Sequence, residues 1–198
     1  MKVILYLRTD ICDQELFSGG SVAHTLGVIN GFALLGYSIV CASSCMQQVL
    51  EKQNIEELIT LKNPSILKCL RWKINSFLSS IFFFKNVLFE LKNKNIEFIY
   101  QRYSLLNFTG LLLAWWYKKK LILEYNGSEY WVAMHWVEKR RWIKFEWLMK
   151  CVEQQNITRA DMIVVVSQVL QEELIGCGVQ PNKILVNPNG VDTQKFRP

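Results

Sequence analysis

Residues 161–187, "DMIVVVSQVLQEELIGCGVQPNKILVN", decide the fold class because they contain a strand, a helix and a second strand in succession. The apolar runs at 161–167 and 183–187 predict buried strands. The residues between them, 168–178, predict a helix that ends at glycine. Two strands joined by a helix are the repeating unit of α/β proteins with a parallel sheet.

The same alternation extends over the rest of the chain. Further buried strands are predicted at the apolar runs 2–7, 38–43, 96–101 and 120–125, and 56–61 is either a short strand or more helix. Helices are predicted at 21–36, 45–54, 65–94, 105–117 and 135–158. Because the strands are apolar on both faces, helices should cover both sides of the sheet. We therefore predict the α/β class, with a Rossmann-like doubly wound parallel sheet.

Composition excludes several classes of protein. The chain has 198 residues, is 51% apolar and 20% charged, and is therefore predicted to form a sizeable core. Its net charge of +6 suits phosphates or an anionic membrane, or is simply a solvated surface. Nucleic acid is not an expected partner, because zinc-finger, helix-turn-helix and RNP patterns are missing. The six cysteines form no C-x-x-C pair, which favours reduced thiols, no metal site and a cytoplasmic location.

Residues 136–150, "WVEKRRWIKFEWLMK", interleave aromatic and basic side chains. This composition is typical of a helix that lies on an anionic membrane surface. A core-packed helix with a basic outer face explains the same pattern. The sequence therefore leaves open a peripheral contact between this segment and the inner face of the membrane. We expect no transmembrane helix in the chain.

In a doubly wound sheet, ligands bind beyond the carboxyl ends of the strands. After the first strand, Gly19 and Gly20 lead into a helix N-terminus, which suits a phosphate but is also common in tight turns. His24, in that helix, is about 200° from the reference position Val22, on the side away from the apolar stripe. It lies at the wall of a cleft, or it is simply a surface or packed histidine.

Two later strand ends also carry polar residues. Arg102 either holds an anionic group or pairs with a neighbouring acid, and Tyr103 is a candidate for stacking on a sugar ring. Glu124 and Asn126 follow the next strand and suit ligands rich in hydroxyl groups, although Asn126-Gly127 is also a common turn. Ser167, after the strand at 161–167, is better explained as a helix N-cap.

The stretches "SGGSVAHTLGVINGFALLGYSIVCAS", "LILEYNGSEYW" and 160–198 resemble the N-terminal domain of GT-B glycosyltransferases of family 4. The most specific part is the ending, in which a strand, a serine, a helix, G-V, P-x-K-I and P-N-G-V-D precede F-x-P. The P-loop, G-x-G-x-x-G and G-x-S-x-G patterns of other α/β enzymes are missing.

The resemblance implies two domains, of which residues 1–188 are the N-terminal, acceptor-side domain. Residues 189–198 begin the hinge, with Asn189, Gly190 and Asp192 at family positions. The donor-binding C-terminal domain, with its Glu-x7-Glu pattern, should then be a separate half or missing.

The resemblance also implies roles for single residues. Gly19 and Gly20 match a glycine-rich loop near the donor phosphates, and His24 matches a histidine often found in this helix. Asn126, with Glu124, matches an E-x-N segment of some members, whereas other members place a catalytically important histidine there.

The resemblance thus predicts a retaining sugar transfer from a nucleotide-sugar to a glycan or lipid-linked acceptor, in polysaccharide biosynthesis. No cofactor and no metal are expected, and the isolated chain should be inactive. The alternative is a sugar- or membrane-binding module without chemistry, or a truncated remnant.

Overall fold

The computed structural model describes residues 2–10, 17–62, 72–91, 94–135 and 146–190. Its sheet has seven parallel strands in the order β3-β2-β1-β4-β5-β6-β7. The strands are β1 Lys2–Arg8, β2 Tyr37–Ser43, β3 Glu57–Thr60, β4 Ile96–Arg102, β5 Lys120–Tyr125, β6 Met162–Val165 and β7 Ile184–Val186. The predicted α/β class is confirmed, and residues 56–61 contain a strand.

Helices cover both faces of this sheet. They are α1 Gly20–Leu34, α2 Gln47–Leu50, α3 Trp72–Glu90, α4 Thr109–Tyr117, α5 Glu129–His135, α6 Glu146–Arg159 and α7 Gln168–Gly176, with a 3-10 turn at Pro181–Lys183. On one face, Val22 and Ile29 of α1 pack against Ile4 of β1. On the other face, α3 and α4 pack against the odd-numbered residues of β1 and β5. Alternation along the strands thus divides the core into two layers.

The predicted helix at 135–158 is described only in part. Helical structure is present at Glu129–His135 (α5) and at Glu146–Arg159 (α6), and residues 136–145 lie outside the described residues. The Ser128 hydroxyl accepts a hydrogen bond from the Trp131 N–H at 3.0 Å, as an N-cap does. This cap starts helical structure directly after β5, where we expected a loop.

Ser167 is the N-cap of α7, as predicted. Its hydroxyl accepts a hydrogen bond from the Leu170 N–H at 3.3 Å, and its own backbone is extended. The structure therefore confirms the structural explanation for this serine.

In the part of the chain that the structure describes, no helix has both the length and the apolar content needed to cross a bilayer. Among the described cysteines, Cys41 and Cys45 are buried, whereas Cys151 and Cys177 are exposed, and none of the four is in a disulfide bond.

Candidate functional site

Strand register brings a row of charged side chains to the carboxyl edge of the sheet. Arg8 of β1 pairs in register with Arg102 of β4, and Arg102 pairs with Glu124 of β5. All three lie on the face that α1 covers. Two residues earlier, the rings of Tyr6 and Tyr100 stack with their centroids 5.5 Å apart and form an aromatic floor below the charged row.

Glu124 is the centre of this row, and only 2% of its side chain is exposed. Its Oε1 accepts hydrogen bonds from Arg102 Nη1 at 3.0 Å and from Asn126 Nδ2 at 2.7 Å. Its Oε2 accepts a hydrogen bond from the Tyr100 hydroxyl at 3.2 Å. A carboxylate with so many donors is held in one orientation and in turn orients them.

His24 completes the group from the opposite side. Its Nε2 lies 3.1 Å from Glu124 Oε1, with 18% of the side chain exposed. Within the described residues, this nitrogen has no hydrogen bond of good geometry. The contact is therefore a close approach that places His24 beside Glu124. A histidine at a cleft wall and a packed histidine would both make it, so the role of His24 stays a prediction.

The surroundings of Glu124 keep its carboxyl group ionised. Burial alone would raise its pKa, but the contacts with His24, Arg102 and Asn126 outweigh burial and hold the pKa below its usual value. Burial and the Glu124 charge both raise the pKa of Tyr100, so its hydroxyl remains a donor. Glu124 is thus an anionic anchor whose oxygen atoms are already occupied. It is not arranged as a free general base.

Arg8 is a member of the site that we did not predict from the sequence. Its guanidinium is buried and donates to Asp10 Oδ2 at 3.0 Å, to the Ser21 carbonyl at 2.8 Å and to the Thr25 hydroxyl. These bonds fasten the first turns of α1 to the end of β1. The signal in the sequence is its position, since Arg8 directly follows an apolar strand as Arg102 does.

The predicted anion loop, Gly19-Gly20, stands at the open N-terminus of α1. Gly19 has φ 109°, a left-handed conformation that favours glycine, and its carbonyl accepts from the Val22 and Ala23 N–H groups. The N–H groups of Gly20 and Ser21 have no partner within a helix of this geometry. Both glycines are exposed with open space around them, so the loop is accessible to an anion.

The loop after β5 carries Asn126 and is fixed by α6. The Glu153 carboxylate accepts from the Ser128 hydroxyl at 2.6 Å and from the Tyr130 N–H at 3.2 Å. Gly127, between Asn126 and Ser128, has φ 129°, which favours glycine. Asn126 is therefore exposed at the edge of the site on a loop whose far end is held.

Glu129, the first residue of α5, has a carboxyl group that is easily protonated. Burial and the charges of Asp10 and Glu153 together raise its pKa to about 7, with burial the largest cause, while the charge of Arg102 opposes them. The folded protein therefore takes up a proton near pH 7 that the unfolded chain binds only near its usual pKa of about 4.3.

We expect a pH-dependent stability from this group. Because the folded state binds the extra proton, the free energy of unfolding should rise as the pH falls from 8 toward 5. Glu129→Gln removes the titrating group. The difference in free energy of unfolding between the wild type and the variant should therefore shrink as the pH falls from 8 toward 5. Urea denaturation of both proteins at several pH values measures this difference. A constant difference between the two proteins would contradict the prediction.

Not every predicted residue joins this group. Tyr103 is buried on the opposite face of the sheet, where its ring packs 5.9 Å from that of Tyr125, so it is not placed to stack on a sugar at this site. The reason is alternation, because neighbouring residues at the end of β4 point to opposite faces. Asn189 and Gly190 are exposed beyond β7 at the same edge. Asp192 and most of the predicted membrane segment 136–150 lie outside the described residues.

Solved structures share this fold over nearly the whole chain. The sucrose-phosphate synthase of Thermosynechococcus elongatus matches with a TM-score of 0.73 at 15% identity, over 100% of this chain and 50% of its own. A glycosyltransferase of Rickettsia africae matches with a TM-score of 0.63 at 18% identity, over 99% and 45%. Anabaena HepE, in complex with UDP-glucose, matches with a TM-score of 0.62 at 13% identity, over 98% and 45%. These identities establish the fold alone.

The chain thus spans about half the length of these structures. No curated protein matches it closely enough to count as a relative. The model of the family described as Glycosyltransferase Family 4 matches residues 18–195, which is most of the chain and includes the glycine loop, the Glu124 group and β7. The fold, the match and the predicted motifs agree, and the chain belongs to glycosyltransferase family 4 as its N-terminal region.

Proposed function

We propose that this chain is the acceptor-binding half of a retaining glycosyltransferase. In this proposal a sugar passes from a nucleotide-sugar to a hydroxyl group of a glycan or lipid-linked acceptor. The observation that carries it is the Glu124 group, which holds His24, Arg102 and Asn126 beside the open Gly19-Gly20 helix terminus. Donors fixed by a buried anion suit a neutral ligand rich in hydroxyl groups, and the helix terminus suits a diphosphate.

The chemistry divides between these two parts of the site. The acceptor oxygen forms a bond to the anomeric carbon while the bond from that carbon to the phosphate oxygen breaks. The electron pair leaves with the nucleoside diphosphate, and the acceptor proton is lost with it or to solvent. The Gly20 and Ser21 N–H groups are positioned to stabilise the negative charge that develops on the diphosphate. Arg102, with 17% of its side chain exposed, adds a fixed positive charge.

In this proposal a second domain binds the nucleotide-sugar donor. The chain spans about half the length of the matched structures, and one of them is that of Anabaena HepE in complex with UDP-glucose. Residues 1–188 would be one domain and 189–198 the start of the hinge. Sugar transfer needs water to be excluded, which two domains achieve by closing on each other. Described cysteines without disulfide bonds fit a cytoplasmic location. Polysaccharide biosynthesis is the pathway class we propose.

One alternative has the same observations behind it. The Glu124 group binds hydroxyl groups equally well without any transfer, so a sugar-binding module without chemistry, or a remnant, would use the same contacts. The two proposals differ in whether a donor-binding half is encoded with this chain.

A transferase assay tests the proposal. The 198-residue chain is incubated with a panel of labelled nucleotide-sugars and mixed glycan acceptors, alone and as the polypeptide extended or co-expressed with an adjacent second α/β domain. We expect no transfer by the chain alone and transfer by the two-domain form. Glu124→Ala in that form should lower kcat/KM by at least about a hundredfold, because several oriented donors are lost together.

Glu97→Ala is the matched control, since Glu97 is a carboxylate in an exposed ion pair with Lys2 at the opposite edge of the sheet. It should leave transfer unchanged. Robust transfer by the chain alone would contradict the need for a second half. Sugar binding without transfer in every form would favour the binding module.

A further inference from the structure

Two neighbouring indole rings are exposed at the amino edge of the sheet, opposite the candidate site. Trp115 is 75% exposed and Trp116 is 56% exposed, and both lie in the last turns of α4. Because α4 runs antiparallel to the strands it connects, its C-terminus lies where the strands begin. A soluble surface rarely exposes two adjacent large aromatic side chains, so this edge is a candidate for contact with a partner.

The indoles are held by packing. The Trp116 ring meets the Phe84 ring of α3 edge-on, with the centroids 6.1 Å apart, and it lies 6.3 Å from the Trp115 ring. Phe89, in the last turn of α3, is exposed at the same edge. The exposed indoles thus lie where α4 packs against α3.

Three consecutive lysines follow the indoles after one intervening residue, Tyr117. Lys118 ends α4 with φ 52°, Lys119 donates to Asn95 Oδ1 at 3.3 Å, and Lys120 begins β5. Lys118 and Lys120 are exposed. By alternation along β5, the Lys120 side chain lies at the same edge but on the face that α1 covers. Two acidic groups at this edge are already engaged, since Asp161 accepts from the Leu121 N–H at 2.8 Å and Glu97 pairs with Lys2. The Lys118 charge beside the indoles and the Lys120 charge at the same edge are therefore available to an anionic partner.

We propose that this edge, defined by Phe89, Trp115, Trp116, Lys118 and Lys120 and here called the tryptophan–lysine edge, docks on an anionic phospholipid surface. Indole rings are amphipathic and settle at the level of lipid headgroups, and lysines next to them pair with lipid phosphates. An acidic protein would match the lysines, but lipid matches both features. The edge is separate from residues 136–150, and the inference does not depend on sugar transfer.

Docking in this way turns the candidate site away from the bilayer. The strands β1, β4 and β5 separate the two edges by six or seven residues, or about 20 Å. The Glu124 group would then face the aqueous phase, where it is open to soluble donors and to acceptor groups that extend from the membrane.

The test is co-sedimentation of the purified 198-residue chain with vesicles. Vesicles of phosphatidylcholine alone are compared with vesicles that also contain phosphatidylglycerol, at low and at physiological salt. We expect binding to the anionic vesicles only, and weaker binding as salt rises. The double variant Trp115→Ala/Trp116→Ala should weaken binding at least about tenfold. Lys118→Asn and Lys120→Thr should each weaken it about fivefold.

Trp147→Ala is the matched control, because Trp147 is equally exposed but belongs to the segment 136–150. It should bind vesicles as the wild type does, and urea denaturation should show that every variant folds. Absence of binding to anionic vesicles would overturn the proposal. A loss of binding caused by Trp147→Ala, and not by the Trp115/Trp116 variant, would also overturn it. So would a dimer in solution that the Trp115/Trp116 variant abolishes, because the edge would then contact a second copy of the chain.

Discussion

Replacing Glu124 with alanine should lower the free energy of unfolding by about 3 kcal/mol, because it removes the single anion between buried or half-buried donors. Arg102 Nη1 and the Tyr100 hydroxyl would both lose their carboxylate acceptor, and His24 would lose its neighbouring charge. Glu124→Gln retains an oxygen acceptor and should cost about half as much. Urea denaturation at pH 7, where the wild-type carboxyl is ionised, measures both changes.

The control is again Glu97→Ala, which removes a carboxylate from an exposed ion pair 3.1 Å from Lys2. Such pairs contribute at most about 1 kcal/mol. If Glu124→Ala and Glu97→Ala destabilise the protein equally, the Glu124 group is not the organising centre that its contacts indicate.

Gly110→Ala should destabilise the protein by about 2–4 kcal/mol, although alanine is the better helix former. A Cβ atom at this position would lie 2.0 Å from Gln101 Oε1 and 3.1 Å from Leu121 Cδ1. Gln101 is fully buried, accepts from the Gly110 N–H at 2.7 Å and donates to Asn107 Oδ1 at 3.3 Å. The side chain cannot move aside without breaking these buried bonds, so overpacking and lost hydrogen bonding add together.

The matched control, Gly27→Ala, should change the free energy of unfolding in the opposite direction. Gly27 lies in the middle of α1, is exposed, and has open space where a Cβ would stand. Gly27→Ala should therefore stabilise the protein by about 0.5–1 kcal/mol. Chemical denaturation of the two variants side by side checks both. A neutral Gly110→Ala would mean that the Gln101 side chain repacks freely.

The polar network around Gln101 also explains how α4 is placed. Asn107 Oδ1 accepts from the Thr109 N–H at 3.0 Å, and Asn156 Nδ2 of α6 donates to the Asn107 carbonyl at 3.0 Å. Four buried polar residues thus tie β4, the start of α4 and α6 together. Nothing in the spacing of apolar residues predicts this network, because it depends on polar side chains and because Asn156 reaches it from a distant part of the chain.

The order of strands and helices could be predicted from local patterns. Each apolar run is bounded by polar or glycine residues, and burial of both faces of a parallel sheet makes such runs continuous. Helix boundaries were harder to predict, as the early start of α5 shows, because one serine cap outweighs the pattern of apolar residues around it.

The sequence by itself determined the α/β class, the glycine loop at the first helix and the positions of polar residues after each strand, since these follow from local hydrophobicity and backbone preference. Only the tertiary structure decided which of those residues meet. Strand register and alternation joined Arg8, Arg102 and Glu124 on one face and turned Tyr103 to the other. Packing likewise left Trp115 and Trp116 exposed, although the sequence around them is as apolar as that of a core helix. Local patterns predict how each residue is oriented within its own element. Contacts between distant elements depend on the order and register of the strands in the sheet.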